Sequence, residues 1–322
     1  MADSAQERRR LDRDGPARSL YERIILLVLG ITALAGAILA VGWLWAHSGV
    51  GSTIRDSGPN WAPDGRLIFA SDQDGQADLV LADRVGGNRT LFMHRAGDEG
   101  GPMYSPDGKW LVFWGSWDGN PEIYVREVGT EIDRRLTTNP AIDRAPAWSR
   151  DGRQIAFMSN RDNHNFDIYR MNADGSNVER LTTGRSNAFP EYSPDGSQLL
   201  LHIDRDVYLM NLSNLGLRRL TNDPNNGMHP TWAPDGLHIA YMSWRNGHSE
   251  IFTARPDGSE TQVVVTMPSG DAVDPRWSPD GRSIAFVHVP EGIDRQSPVV
   301  AATTGIVYVL ELDSARISRV SK

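Results

Sequence analysis

The chain has 322 residues, a formal net charge of −8 and no cysteine. Missing thiols exclude disulfides, thiol nucleophiles, thiolate zinc sites and iron–sulfur clusters. The acidic balance argues against nucleic acid as a partner, which calls for a basic footprint. Hydrophobic content of 39% beside 23% charged residues fits a globular protein carrying a hydrophobic addition.

Residues 1–23 are polar, with Arg8, Arg9, Arg10, Arg13, Arg18 and Arg23 offset by five carboxylates. Residues 24–46, IILLVLGITALAGAILAVGWLWA, carry no charge. As a helix they reach about 34 Å, against a hydrocarbon core of about 30 Å. Trp43 and Trp45 close the run, where amphipathic rings prefer the membrane interface. The run is too long for a cleaved signal peptide, and Leu44 and Ala46 stand where a cleavage site would need small residues. The expectation is a retained signal-anchor helix in a bacterial inner membrane. The arginines ahead of it place the N-terminus in the cytoplasm and everything after residue 46 outside. Residues 47–57 read as a linker and 58–322 as the folded domain.

One short phrase then recurs six times: WAPDG at 61–65, YSPDG at 104–108, WSRDG at 148–152, YSPDG at 192–196, WAPDG at 232–236 and WSPDG at 277–281. Its aspartates are spaced by 43, 44, 44, 40 and 45 residues. A period of 40–45 residues with strand-like segments in each copy indicates a radial β repeat. The third copy shows the pattern best: a strand ending at Trp148, then IAFM (155–158), DIYRM (167–171) and ERLT (179–182), separated by turn residues. Pro presets one turn position, Asp bonds its own backbone and Gly takes the place where φ is positive. The expected fold is all-β, a six-bladed propeller of four-stranded blades behind one transmembrane helix. The ring is expected to close by blade packing.

The sequence P-x-W-S-P-D-G, I-A-F, S-x-R-D, D-I-Y-x-M-N-A-D-G-S, R-L-T resembles the TolB-like propeller repeat, over about residues 58–320. It is also similar to the propellers of prolyl oligopeptidase-type and tricorn-type peptidases. TolB itself has an α/β domain ahead of its propeller, where this chain has a membrane span. The peptidases carry a catalytic hydrolase domain, but here no G-x-S-x-G elbow occurs; GSWDG at 115–119 has its serine one place early. The resemblance therefore implies the fold, and a non-catalytic role.

Propeller ligands meet the channel face where the inner strands begin. Asp56, Asp98, Glu99, Asp143, Arg144, Asn187, His229 and Asp274 stand there, just ahead of the P-x-W or P-x-Y of their repeats. If they converge they form an electronegative funnel for a cation or a basic peptide; otherwise they cap local turns. Trp117 and Trp244, in matching loops of copies two and five, serve either as recognition anchors or as covers for blade edges. Arg295 lies in the longest inter-strand loop, His288–Gly305, a lid or partner contact by length. The acid opening the third strand (Asp78, Glu122, Asp167, Asp206, Glu250) recurs around the ring and reads as architectural. The eight histidines form no H-E-x-x-H pattern, and DQDGQAD at 72–78 lacks a closing glutamate, so no metal or other cofactor is expected. The functional expectation is an extracytoplasmic scaffold binding a protein or peptide of the cell envelope. The alternative is a propeller hydrolase or lyase acting on peptide or polysaccharide with carboxylates at the channel mouth.

Overall fold

Six antiparallel sheets of four strands each make up the structure, a computed structural model that describes residues 56–320 apart from 74, 85–86, 163–164, 222–226, 246 and 292–304. The expected tail and membrane span lie outside these residues, as does the linker up to residue 55; Asp56 and Ser57, expected in the linker, belong instead to the first strand. Among the described residues no helix is long and apolar enough to cross a membrane. The blades are β1–β4 (Asp56–Trp61, Leu67–Ser71, Asp78–Ala82, Arg89–Met93), β5–β8 (Glu99–Tyr104, Trp110–Gly115, Glu122–Glu127, Asp133–Arg135) and β9–β12 (Asp143–Trp148, Gln154–Ser159, Asp167–Asn172, Glu179–Arg180). They continue with β13–β16 (Asn187–Tyr192, Gln198–Ile203, Asp206–Asn211, Leu217–Arg219), β17–β20 (Gly227–Trp232, Ile239–Arg245, His248–Ala254, Gln262–Val265) and β21–β24 (Asp271–Trp277, Ser283–Val289, Ile306–Glu311, Arg316–Arg319). The first strands of neighbouring blades touch all the way round, β21 meeting β1, so they line the channel and the fourth strands form the rim.

Second strands are buried on both faces because each sheet packs between two others. Phe69, Phe113, Phe157 and Phe286 are fully buried at matching positions. Three of them stack on the tyrosine of their own third strand, Phe113 on Tyr124, Phe157 on Tyr169 and Phe286 on Tyr308, at 5.8–5.9 Å between centroids. Each buried phenylalanine contributes roughly 1.5–3 kcal/mol. The I-A-F and D-I-Y phrases thus encode one inter-strand contact repeated around the ring.

The SPDG turns behave as their chemistry predicts, and they also hold each other. Ser105 donates to Asp107 at 2.6 Å, and Ser149, Ser193 and Ser278 do the same for their own aspartates. These bonds lower the carboxyl pKa values of Asp107, Asp151, Asp195 and Asp280. The turn glycines have φ between 68° and 86°. A Cβ on Gly152, Gly236 or Gly281 would rest 3.3–3.8 Å from the proline of the preceding blade's turn. In the third copy Arg150 replaces that proline, and Gly196, which would sit over it, has nothing within 4 Å.

The third-strand acids are architectural, held by the fourth strands of their own blades. Glu122 and Asp167 each take an arginine and a threonine from the fourth-strand R-L-T, Arg135 with Thr137 and Arg180 with Thr182. The same threonines accept the backbone N–H of Ile123 and Ile168 at 2.9 Å. A side-chain hydroxyl thus replaces a carbonyl in the ladder, which is why β8 and β12 end before the threonine the sequence assigns to them.

One hydrogen bond repeats between blades. The first inner-strand N–H of Glu99, Asp143 and Asn187 donates to a carbonyl of the preceding blade, on Ala77, Pro121 and Phe166, at 2.7–2.8 Å. Asp56 donates to Gly305 at 2.7 Å in the same way. Each sheet uses four consecutive strands, and this bond joins the last blade to the first.

Candidate functional site at the channel end

All six inner strands break at the same place. The residue before the conserved-position proline has positive φ in every blade: Gly58, Gly101, Ala145, Phe189, His229 and Asp274, at 49–58°. Each coincides with a register shift against the second strand. Glycine adopts this conformation freely, whereas the other four residues pay about 1–3 kcal/mol each. The bulge divides the ring in two. Blades one to three present two glycines and an alanine there, and blades four to six present Phe189, His229 and Asp274.

Those three side chains touch. The ring centroids of Phe189 and His229 lie 3.9 Å apart, and His229 Nδ1 hydrogen-bonds Asp274. His202 completes a triangle of rings, 5.7 Å from His229 and 5.4 Å from Phe189, and its Nδ1 accepts the His229 backbone N–H at 3.4 Å. Burial, with His229 beside it, depresses the His202 pKa to about 3, so its ring is neutral. One residue past the prolines, Glu191 of blade four forms an ion pair with Arg276 of blade six. Glu191 also accepts from Thr231 Oγ1 at 3.2 Å and Trp232 N–H at 3.0 Å. Its pKa is raised, burial outweighing the arginine.

The acids ahead of the prolines do not form an open funnel. Asp56 is fully buried and ion-paired with Arg89 from the rim strand of its own blade. Asp143 is equally buried, bound by Arg161 and Asn139 at 2.8 Å each. Asn187 is buried and donates to Asp167 at 3.0 Å. Asp274 is taken by His229. Asp98 is exposed and caps a turn by accepting Ala77 N–H at 3.1 Å. Glu99 is fully buried with neither oxygen accepting a hydrogen bond, and burial, together with the charge and hydrogen-bond acceptance of nearby Asp78, raises its pKa to about 8. Among the described residues no group of three or more histidines and carboxylates is placed to hold a metal.

Of the loop candidates, Trp117 packs its ring 4.3 Å from Tyr124 and 6.1 Å from Phe113, covering the face of its own blade. Trp244 lies within strand β18, paired with Ser249, rather than in a loop. Arg295 lies outside the described residues. Arg144 has its guanidinium 4.5 Å from the centre of the Trp114 ring. Trp114, Phe189, His202, Glu191 and Arg276 escaped the sequence reading. For Phe189, Glu191 and Arg276 the one signal is positional, since the places flanking each repeat's proline vary in chemistry; Trp114 and His202 lie in second strands, away from that position.

Comparison with known proteins places the fold. The TolB β-propeller domain family matches residues 57–205 and 185–315. The chain belongs to that family. An uncharacterized protein of Agrobacterium fabrum is 29% identical over 60% of this chain and 71% of its own length. The Tol-Pal system protein TolB of Francisella tularensis subsp. mediasiatica is 30% identical over 66% of this chain, which spans about half (51%) of that protein. Among solved structures, oligogalacturonate lyase from Vibrio parahaemolyticus superposes with a TM-score of 0.57 at 18% identity, over 84% of this chain and 79% of the lyase. At that identity the likeness concerns the fold alone.

Proposed function

We propose that this TolB-family propeller is a non-catalytic scaffold, tethered to the inner membrane by residues 24–46, that binds an envelope protein at the channel end where its inner strands begin. The observation that carries this reading is the state of the acids at that end. Asp143 and Asp274 are held by partners inside the fold and Asp98 is bound to a turn amide, so these three acids are not poised together over a shared substrate atom. The strained, asymmetric bulge ring supplies a shaped surface instead. A relative named for the Tol-Pal system supports a binding role. Affinity capture from membranes with the full chain tests it: a specific partner is expected. No partner, combined with turnover of a peptide or polysaccharide by the purified chain, would overturn it. The tether has its own test. Gly36→Arg costs about 2.5–3.5 kcal/mol at the span centre and should release the chain from membranes, whereas full integration would refute the span.

A second reading, a propeller hydrolase or lyase, draws on the imidazole of His229 held by Asp274. A carboxylate on one ring nitrogen fixes the tautomer and leaves the other nitrogen as an acceptor. That reading requires His229→Gln to abolish a turnover that the native chain displays.

A further inference from the structure

Arg144 carries a charge that nothing in the described chain neutralises. It is half-buried at the second position of inner strand β9, beside the bulge residue Ala145. Every other arginine that is buried or half-buried and whose side chain is described forms an ion pair, from Arg66 with Asp64 to Arg276 with Glu191. Arg144 forms none, and its Nε is buried without an acceptor. Burial weakens its hold on the proton, and only the more distant charge of Asp98 opposes this. A cation partly removed from water with no counter-charge is unfavourable, so a fold that keeps one has left a place for an anion.

The surroundings are built to hold this side chain. Its guanidinium lies over the face of Trp114. The indole in turn lies on the backbone of Gly100 and Gly101. A Cβ on Gly100 would sit 2.7 Å from Trp114 Cε2, and one on Gly101 3.1 Å from Cδ1. The glycine pair of β5 is therefore required for the ring to lie flat against the inner strand, with the guanidinium stacked over it. Trp114 is itself half-buried, and its indole N–H makes no hydrogen bond among the described residues. The platform offers only donors, a guanidinium fork and an indole N–H, beside a flat apolar surface. Such a fork takes a carboxylate bidentately, and the ring suits the short apolar stem that carries it.

We infer that Arg144 and Trp114 form a carboxylate anchor at the channel end, and that the segment of partner seated there is an acidic peptide. The inference rests on the scaffold reading and reverses the sign expected from sequence. Asp56, Asp143 and Asp274 are spent inside the fold, and the unpaired cation among these residues is Arg144. A stem-borne carboxylate uses guanidinium and indole together, whereas a small inorganic anion would use only the first.

The test is fluorescence anisotropy with the full chain in detergent and a labelled peptide, Gly-Glu-Glu-Gly-Glu-Glu, beside its Gln counterpart. The native chain should bind the Glu peptide at least about tenfold tighter. Arg144→Gln should erase that difference while leaving the melting temperature unchanged or higher, which a purely structural arginine would not do. Gly100→Ala, which displaces Trp114 and leaves the charge in place, should weaken binding at least about threefold. Equal binding of the two peptides, or unchanged Glu-peptide binding by Arg144→Gln, would overturn the anchor. Displacement by trigalacturonate at lower concentration than by unlabelled peptide would overturn the peptide assignment. A membrane partner captured equally well by native chain and Arg144→Gln would remove the anchor and leave the scaffold standing. Absence of any partner together with substrate turnover would remove the scaffold itself.

Discussion

Glu99→Gln should stabilise this protein at neutral and alkaline pH. Glu99 opens inner strand β5 with no exposed surface, and neither oxygen of its carboxylate has a donor to accept from. Asp78, itself bound to His94 at 2.9 Å, adds a like charge beside it, and Asp133 acts in the same sense; Arg95 opposes them. The carboxyl therefore titrates near pH 8 in the folded chain rather than near 4.5. A raised folded pKa means that the stability contribution is whole below pH 4.5 and is lost as pH rises toward 8, because the unfolded chain gives up its proton first. At about 1.4 kcal/mol per pH unit the loss approaches 5 kcal/mol. Relaxation and water entry reduce such penalties, so the expected gain for the glutamine variant is about 2–3 kcal/mol at pH 8, and near zero at pH 4.5. Denaturant midpoints of both proteins between pH 4.5 and 9 measure it. Parallel curves for the two proteins, or a variant less stable at pH 8, would refute a buried, unpaired Glu99.

Three further outcomes follow from the fold. Arg150→Pro restores the proline that five of the six turns have and places it under Gly196, so it should stabilise by about 0.4–1 kcal/mol; a loss in thermal melting would deny the equivalence of the third turn. Gly152→Val forces a β-branched residue into φ of 68° and should cost about 2–3 kcal/mol, with unchanged melting as the contrary result. Glu191→Met and Arg276→Met each strand a largely buried charge, the side chains being 13% and 29% exposed. Each should cost about 2–4 kcal/mol, and the double variant less than the sum of the two; additive costs would mean that the pair does not interact.

The architecture was legible because it is written in repeated, local chemistry. Turn residues, I-A-F runs and D-I-Y phrases each report a bond or stack that recurs once per blade, so six copies fix the count and the strand order. The candidate site was legible only as a location. Asp56 and Asp143 look like channel acids in sequence, yet their partners Arg89 and Arg161 are 33 and 18 residues away, and only strand pairing brings them together. Only Gly58 and Gly101 mark the residue before the proline as a bulge with positive φ, whereas alanine and phenylalanine seldom adopt it and a single histidine or aspartate is a weak signal. The flat seat of Trp114 depends on Gly100, which reads locally as one more turn glycine. The arginine struts of the third-strand acids, by contrast, were half visible: R-L-T was recognised as a strand but not as the partner of the acid.

The scaffold claim meets its most direct test in site-specific photo-crosslinking of the full chain in membranes. A crosslinking residue at Asp98, exposed at the end where the inner strands begin, is compared with one at Leu237, 56% exposed in a turn at the opposite end. A discrete protein adduct from position 98 and none from 237 is the predicted result. Adducts from 237 alone, or none from either position while the purified chain consumes a substrate, would contradict a partner-binding channel end.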